Sequence, residues 1–232
     1  MVVKVRPEEA PLCFPKRECE LGEVLALRGV EWIYNYGKRD LMGFKALGAG
    51  FRGVAFLAEW RGKLVVVKVK RGDVEIDMTK EAEIQRYAWP VAPKVYDYGK
   101  DFIIMEYVPY PGIEEVIGKL ETEALRDTII RILERGRELD KKGIDHGELV
   151  RPWKHVLVGE DVKIIDYGKA SLRRRPSNVT SLVSGLLLKP SKPSSEIAEK
   201  LRINKALLLE AVRRYKREPS DESFSELVGL LM

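Results

Sequence analysis

The chain has 232 residues, 45% hydrophobic and 33% charged, with a formal net charge of +5; this is enough for one two-lobed unit or two compact domains with a real core. No apolar run approaches the roughly 18 residues that a membrane helix needs. Met1–Pro7 lacks the apolar centre of a signal peptide, so a soluble cytoplasmic protein without a membrane partner is expected.

Pro7, Pro11 and Pro15 make residues 1–19 an irregular lead-in. Cys13 and Cys19 stand alone, a poor zinc signature, and read as two unrelated thiols. Glu20–Tyr36 reads as a helix, because Leu21, Val24, Leu25, Arg28 and Trp32 follow helical spacing and Gly37 is a natural stop. From Phe44 the pattern changes to glycines between β-rich runs. Val54–Trp60 and Leu64–Val69 read as strands joined by a turn at Arg61–Lys63. Asp77–Trp89 reads as a helix ended by Pro90, and Lys94–Tyr98 with Asp101–Tyr107 as a second strand pair. Pro109 and Pro111 then mark a boundary.

Glu121–Lys141 is the clearest helix, with Leu125, Ile129, Ile132, Leu133 and Leu139 on one face and Gly143 as its stop. Val156–Val158 and Val162–Ile165 form a hairpin. Ser177 reads as a helix cap, Lys189–Ser195 as a linker and Ser194–Tyr215 as one helix. The divisions expected are 1–43, an extension with one helix; 44–109, strand-rich; 110–190, mainly helical; and 191–232, a basic helical tail. Residues 171–232 hold twelve Lys/Arg against seven Asp/Glu, a balance of +5, whereas the first 170 residues hold 29 of each. A basic tail can meet nucleic acid or a ribonucleoprotein.

Five motifs carry chemistry. Gly48-Ala-Gly50-Phe-Arg-Gly53 lies between strand-like runs, and glycines let a backbone approach phosphate oxygens. Lys68 ends the apolar run Val65–Val67, where an ammonium needs a partner, and it fits the phosphate-lysine pattern better than Lys70. Glu81 on the following helix can supply that partner, in preference to Glu83. The strand ending at Glu106 offers the Glu106 carbonyl and the Val108 amide to an adenine edge. Finally, His146-Gly-Glu148 precedes a hairpin that ends in Asp166-Tyr-Gly168, the first carboxylate lying eighteen residues before the second. Phosphoryl transfer needs one carboxylate at the acceptor hydroxyl and another on Mg²⁺.

In this order the motifs resemble the protein kinase superfamily, nearest its small atypical archaeal members, the RIO-type kinases. The resemblance covers Phe44–Ala170. It implies an α+β, bilobal protein-kinase-like fold with a strand-rich N-lobe and a reduced, mainly helical C-lobe. It also implies a serine/threonine protein kinase that transfers phosphate from ATP with Mg²⁺ to a protein substrate. By position, Gly48, Gly50 and Gly53 match the glycine loop, Lys68 the phosphate lysine and Glu81 its helix partner. His146 and Glu148 match the His and Asp of the catalytic loop, and Asp166 the metal-binding Asp of the Asp-Phe-Gly motif.

The pattern departs from the family in three places. Glu148 replaces the catalytic Asp. The metal-binding Asn is missing, its position falling on Lys154 or His155; His155 suits Mn²⁺ better than Mg²⁺, or serves as a structural histidine. No Ala-Pro-Glu motif follows Asp166. The Glu148 change and the missing Asn keep open a nucleotide-binding pseudokinase or scaffold, the basic tail a nucleic-acid-associated ATPase, and the His-Gly-carboxylate loop a small-molecule kinase of the aminoglycoside type.

Overall fold

The computed structural model describes residues 3–16 and 19–232; Met1, Val2, Arg17 and Glu18, part of the expected irregular lead-in, lie outside the described residues. The chain divides into two units, Met1–Tyr87 with Pro93–Tyr107, and Ala88–Ala92 with Val108–Met232. It is an α+β protein, an N-terminal antiparallel sheet followed by a mostly helical C-terminal part.

In the first unit, strand β1 (Lys4–Val5) and helix α1 (Leu21–Leu27) precede β2 (Val30–Tyr34), the hairpin β3 (Arg39–Leu41) and β4 (Phe44–Ala46), and β5 (Gly48–Ala49). Then come the long pair β6 (Gly53–Trp60) and β7 (Lys63–Lys70), helix α2 (Thr79–Ala88, all but its last residue in this unit), β8 (Val95–Tyr98) and β9 (Phe102–Glu106). The main sheet runs β1-β2-β6-β7-β9-β8, with β5 also on β6, and every pairing is antiparallel. Arg61 and Gly62 both have positive φ, the two-residue turn that matches the twist of a β-hairpin. Side chains alternate across β7. Val65, Val67 and Val69 join Val54, Phe56 and Ala58 in one core. Val66 packs on the opposite side against Met78, Ala82, Ile103 and Met105. Lys68 shares the parity of Val66 and therefore points toward α2.

Two expectations are corrected here. The helix expected over Glu20–Tyr36 ends at Leu27, and Val30–Tyr34 is a strand paired with β6. Gly29 at φ +90° leaves the helical region, and Val30, Trp32, Ile33 and Tyr34 are β-branched or aromatic residues that suit a pleated surface. Cys13 and Cys19 are a disulfide, not unrelated thiols, with Cα atoms 6.1 Å apart. Turns at Pro11–Phe14 and Cys13–Lys16 curl the segment back on itself, and Gly72 N–H donates to Phe14 O to dock it.

The second unit holds α3 (Ile113–Val116), α4 (Thr122–Lys141), the hairpin β10 (Val156–Val158) and β11 (Val162–Ile164), α5 (Asn178–Val183), α6 (Lys192–Lys200), α7 (Lys205–Arg217) and α8 (Asp221–Gly229). Leu125, Ile129, Ile132, Leu133 and Leu139 form the buried stripe of α4, each contributing roughly 1.5–3 kcal/mol by leaving water. A Cβ on Gly136 would come within 2.6 Å of Leu182 Cδ1, so glycine there lets α4 and α5 approach closely. Asp140 on α4 caps α5: Oδ1 accepts from the Asn178 amide and side chain, and Oδ2 from the Val179 amide and the Tyr215 hydroxyl at 2.8 Å.

Three more expectations change. Ser177 sits at the α5 cap position, but its hydroxyl donates to Asp145 Oδ1 at 3.2 Å, because Asp140 already holds the helix amides. The linker expected over Lys189–Ser195 is in part helix. α6 starts at Lys192, accommodates Pro193 in its first turn where no N–H is needed, and buries Ser194 against Gly185 O at 2.8 Å. The single helix expected over Ser194–Tyr215 is broken between Leu201 and Asn204. Arg202 adopts φ 54°, and the Asn204 side chain accepts from the Ala206 and Leu207 amides to start α7. Among the described residues, no helix is long and apolar enough to cross a membrane.

Candidate functional site

In the first unit, the alternation of β7 brings the Lys68 ammonium to Glu81 Oε1 at 2.5 Å. The two side chains are only 13% and 8% exposed, so the pair offsets a desolvation cost that neither charge could bear alone. Lys70, on the same parity, is held by Asp101 at 2.8 Å, and Glu83 faces solvent. A Cβ at Gly53 would lie 2.6 Å from Val69 O and 3.6 Å from Lys68 Cε. Glycine is needed there because β7 runs so close. Gly48 and Gly50 differ: a Cβ at Gly48 meets nothing within 4 Å, and at Gly50 only Gly53 O at 3.9 Å. The chain's own packing does not demand these two glycines, and the open space beside them suits a phosphate group approaching the backbone. Glu106 ends β9, its amide donating to Lys94 O and its carboxylate accepting from the Lys94 amide. Val108 is the first residue of the second unit after the boundary and is buried.

In the second unit, α4 stops at Gly143 (φ 71°) and the chain turns through His146 and Gly147 to Glu148. A Cβ on Gly147 would strike Arg174 and Lys169 O, and its φ of 84° is left-handed as well. His146 is fully buried, and its Nε2 donates to Ile165 O at 3.1 Å. Its ring packs edge-on against His155 (5.3 Å between centroids) and Tyr167 (4.9 Å). Burial, reinforced by His155, pushes the His146 pKa down to about 4, so the ring is neutral at pH 7. Burial lowers His155 too, and drives the Tyr167 phenol up. His146 Nδ1, His155 Nδ1 and the Tyr167 hydroxyl are buried without a hydrogen-bond partner among the described residues. Glu148 is reached by Lys169 at 3.0 Å.

Asp166 follows β11 with φ 69°, a left-handed conformation costing a non-glycine residue of order 1–3 kcal/mol, less for Asp than for most. Such outliers gather at functional sites because the surrounding structure must enforce them. Among the described residues no group of three or more His, Cys, Asp or Glu is arranged to hold a metal. A nucleotide-borne Mg²⁺ asks for less: one or two carboxylates, with phosphate and water completing the shell. Asp166 fits that role. His155 packs as a core side chain beside His146, and among the described residues it belongs to no group of three His, Cys, Asp or Glu placed to hold a metal ion.

Sequence reasoning gave Asp145 no role. It is buried, accepts from Arg174 Nε at 2.6 Å, and pairs through its backbone with Ser171. Arg174 also donates to Lys169 O at 2.6 Å. Residues 169–174 are thus fastened to the loop that carries His146 and Glu148. The signal available was an aspartate beside His146 with the arginine run 173–175 further along the chain. No protein-family model matches the sequence, and no curated protein matches it significantly.

Proposed function

We propose that the chain is an ATP-dependent phosphotransferase of the protein-kinase-like fold, acting on a hydroxyl, with serine or threonine of a protein as acceptor. The observation that carries this reading is the Lys68–Glu81 pair. A strand ammonium nearly removed from water is held in a fixed orientation by a helix carboxylate, with a glycine-rich turn beside its stem. Lys68 is the group that grips the nucleotide phosphates, and the Gly48–Gly53 turn offers backbone N–H groups. Asp166 carries Mg²⁺, and Mn²⁺ can substitute. Glu148 orients or deprotonates the acceptor hydroxyl. Neutral His146, anchored on Ile165 O, keeps the Glu148 loop and the residue before Asp166 in register. When bound, the metal-nucleotide supplies the transferable phosphoryl group and neutralises its charge.

A second reading is nucleotide binding without turnover, favoured by the ion pair that engages Glu148 with Lys169. Labelled ATP with Mg²⁺ or Mn²⁺ separates the two. Transfer of label to the chain itself or to a generic protein, with at least a 10³-fold loss in Glu148→Gln, supports the kinase. Binding without transfer supports the second reading, release of label only as free phosphate indicates an ATPase, and full transfer by Glu148→Gln removes Glu148 from its role.

A further inference from the structure

Helix α7 buries Leu208, Ala211, Val212 and Tyr215 and turns its opposite face to water. At 100° per residue, Lys205, Lys216, Arg213 and Arg217 fall within one 120° arc that runs from the edge of the buried stripe to the far side of the helix, and all four are exposed. Arg214, 60° beyond Arg217 and outside this arc, is neutralised by Glu226 at 2.8 Å. Arg213, Lys216 and Arg217 have no carboxylate partner among the described residues. Glu210 is the one acidic residue on this face.

Cations at a helix C-terminus ordinarily serve the helix, by bonding its last carbonyls. Here that need is met from elsewhere. Arg175 donates to Lys216 O at 2.6 Å and Arg217 O at 3.0 Å, and so joins the same face as a fixed fifth cation. Arg175, Arg213, Lys216 and Arg217 line a depression of about 480 Å³. The unneutralised positive charge complements a densely anionic partner.

The spacing says which. Eight residues separate Lys205 from Arg213, a rise of about 12 Å. The major groove of B-form DNA is about 12 Å wide and admits a helix. The face carries no exposed aromatic side chain on which an unpaired base could stack, the usual device for single strands. We propose that the exposed face of α7, with Arg175, binds the phosphate backbone of duplex DNA without sequence preference, its two cationic ends meeting the two strands that border a major groove. This does not depend on the phosphotransferase reading.

The test is fluorescence anisotropy of the full chain with a labelled 24-base-pair DNA duplex across a salt series. The expected log–log salt slope is about −3 to −5, from four or five phosphates neutralised. Arg213→Glu/Lys216→Glu/Arg217→Glu should bind at least 30-fold more weakly and with a shallower slope, at an unchanged thermal midpoint. Arg213→Gln/Lys216→Gln is the milder variant should the triple one fail to fold, with a loss of at least fivefold expected. Any of four results overturns the proposal: no binding to duplex DNA at low salt; full binding by a folded variant; RNA duplex or single-stranded DNA bound tenfold more tightly; or polyglutamate bound equally well and with the same sensitivity to the variants.

Discussion

Lys68 and Glu81 meet at 2.5 Å with both side chains nearly excluded from water. Removing one member strands the other charge in a poorly solvated place, whereas replacing both with apolar groups does not. Lys68→Met is therefore expected to lower unfolding free energy by about 3 kcal/mol. The double variant Lys68→Met/Glu81→Leu should recover most of that loss. Urea unfolding of the single variants and the double reports the coupling; a double variant as unstable as the sum of its parts would show that the pair is not coupled.

Gly53 and Gly50 are expected to separate stability from ligand binding. Gly53→Ala brings a methyl to 2.6 Å from Val69 O and forces β6 away from β7, with an expected loss of about 1–3 kcal/mol. Gly50→Ala meets only Gly53 O at 3.9 Å, so its thermal midpoint should hardly move. If the turn covers phosphates, Gly50→Ala should instead weaken ATP binding several-fold. Calorimetric titration with ATP beside thermal unfolding distinguishes the two effects.

The buried histidine makes stability fall in mild acid. His146 titrates near 4 in the folded chain and near 6.5 when unfolded. Between those values the unfolded chain binds more protons, so stability is complete above about pH 6.5 and declines as pH drops toward 4. The full loss is about 3 kcal/mol. His155 contributes in the same direction. Urea midpoints from pH 7 to pH 4.5 should show the decline, and the difference from His146→Asn, or from His155→Asn, isolates it from the carboxylates. A parallel decline in both variants would remove the histidines as its cause.

Tyr167 has its hydroxyl buried with no hydrogen-bond partner among the described residues, against the edge of His146. An unsatisfied buried hydroxyl costs of order 1–3 kcal/mol, so Tyr167→Phe should stabilise the protein by about 1 kcal/mol. Comparing unfolding midpoints at pH 7 decides this. A destabilised Phe variant would mean that the hydroxyl is satisfied in solution, for instance by a buried water.

Elements whose local chemistry and tertiary role agree were legible in the sequence. The pair β6 and β7 shows period-2 alternation around Arg61-Gly62, and α4 shows a clean apolar stripe. The parity that sends Lys68 toward α2 follows from the same alternation. The helical reading of Val30–Tyr34 rests on Trp32 falling four residues after Arg28, a spacing that helix and chance share; Gly29, as good a helix stop as Gly37, is the residue that overrules it. The Ser/Pro-rich start of α6 looked like a linker, although Pro193 is tolerated in a first turn. Asp145 stayed hidden because its value lies in Arg174 and Ser177, about thirty residues away.

Asp140 ties the C-terminal helices into the second unit. Its carboxylate, pushed up in pKa by burial against the pull of its hydrogen bonds, joins α4, the start of α5 and Tyr215 of α7, while Arg137 on the same helix reaches Tyr215 and Asp221. Cutting the chain before Ser194 would not detach an appendage. It would take the keystone contact away from a half-dry acid and bare the apolar side of α5, so a shortened chain should aggregate or lose its helical unit whatever the basic face binds.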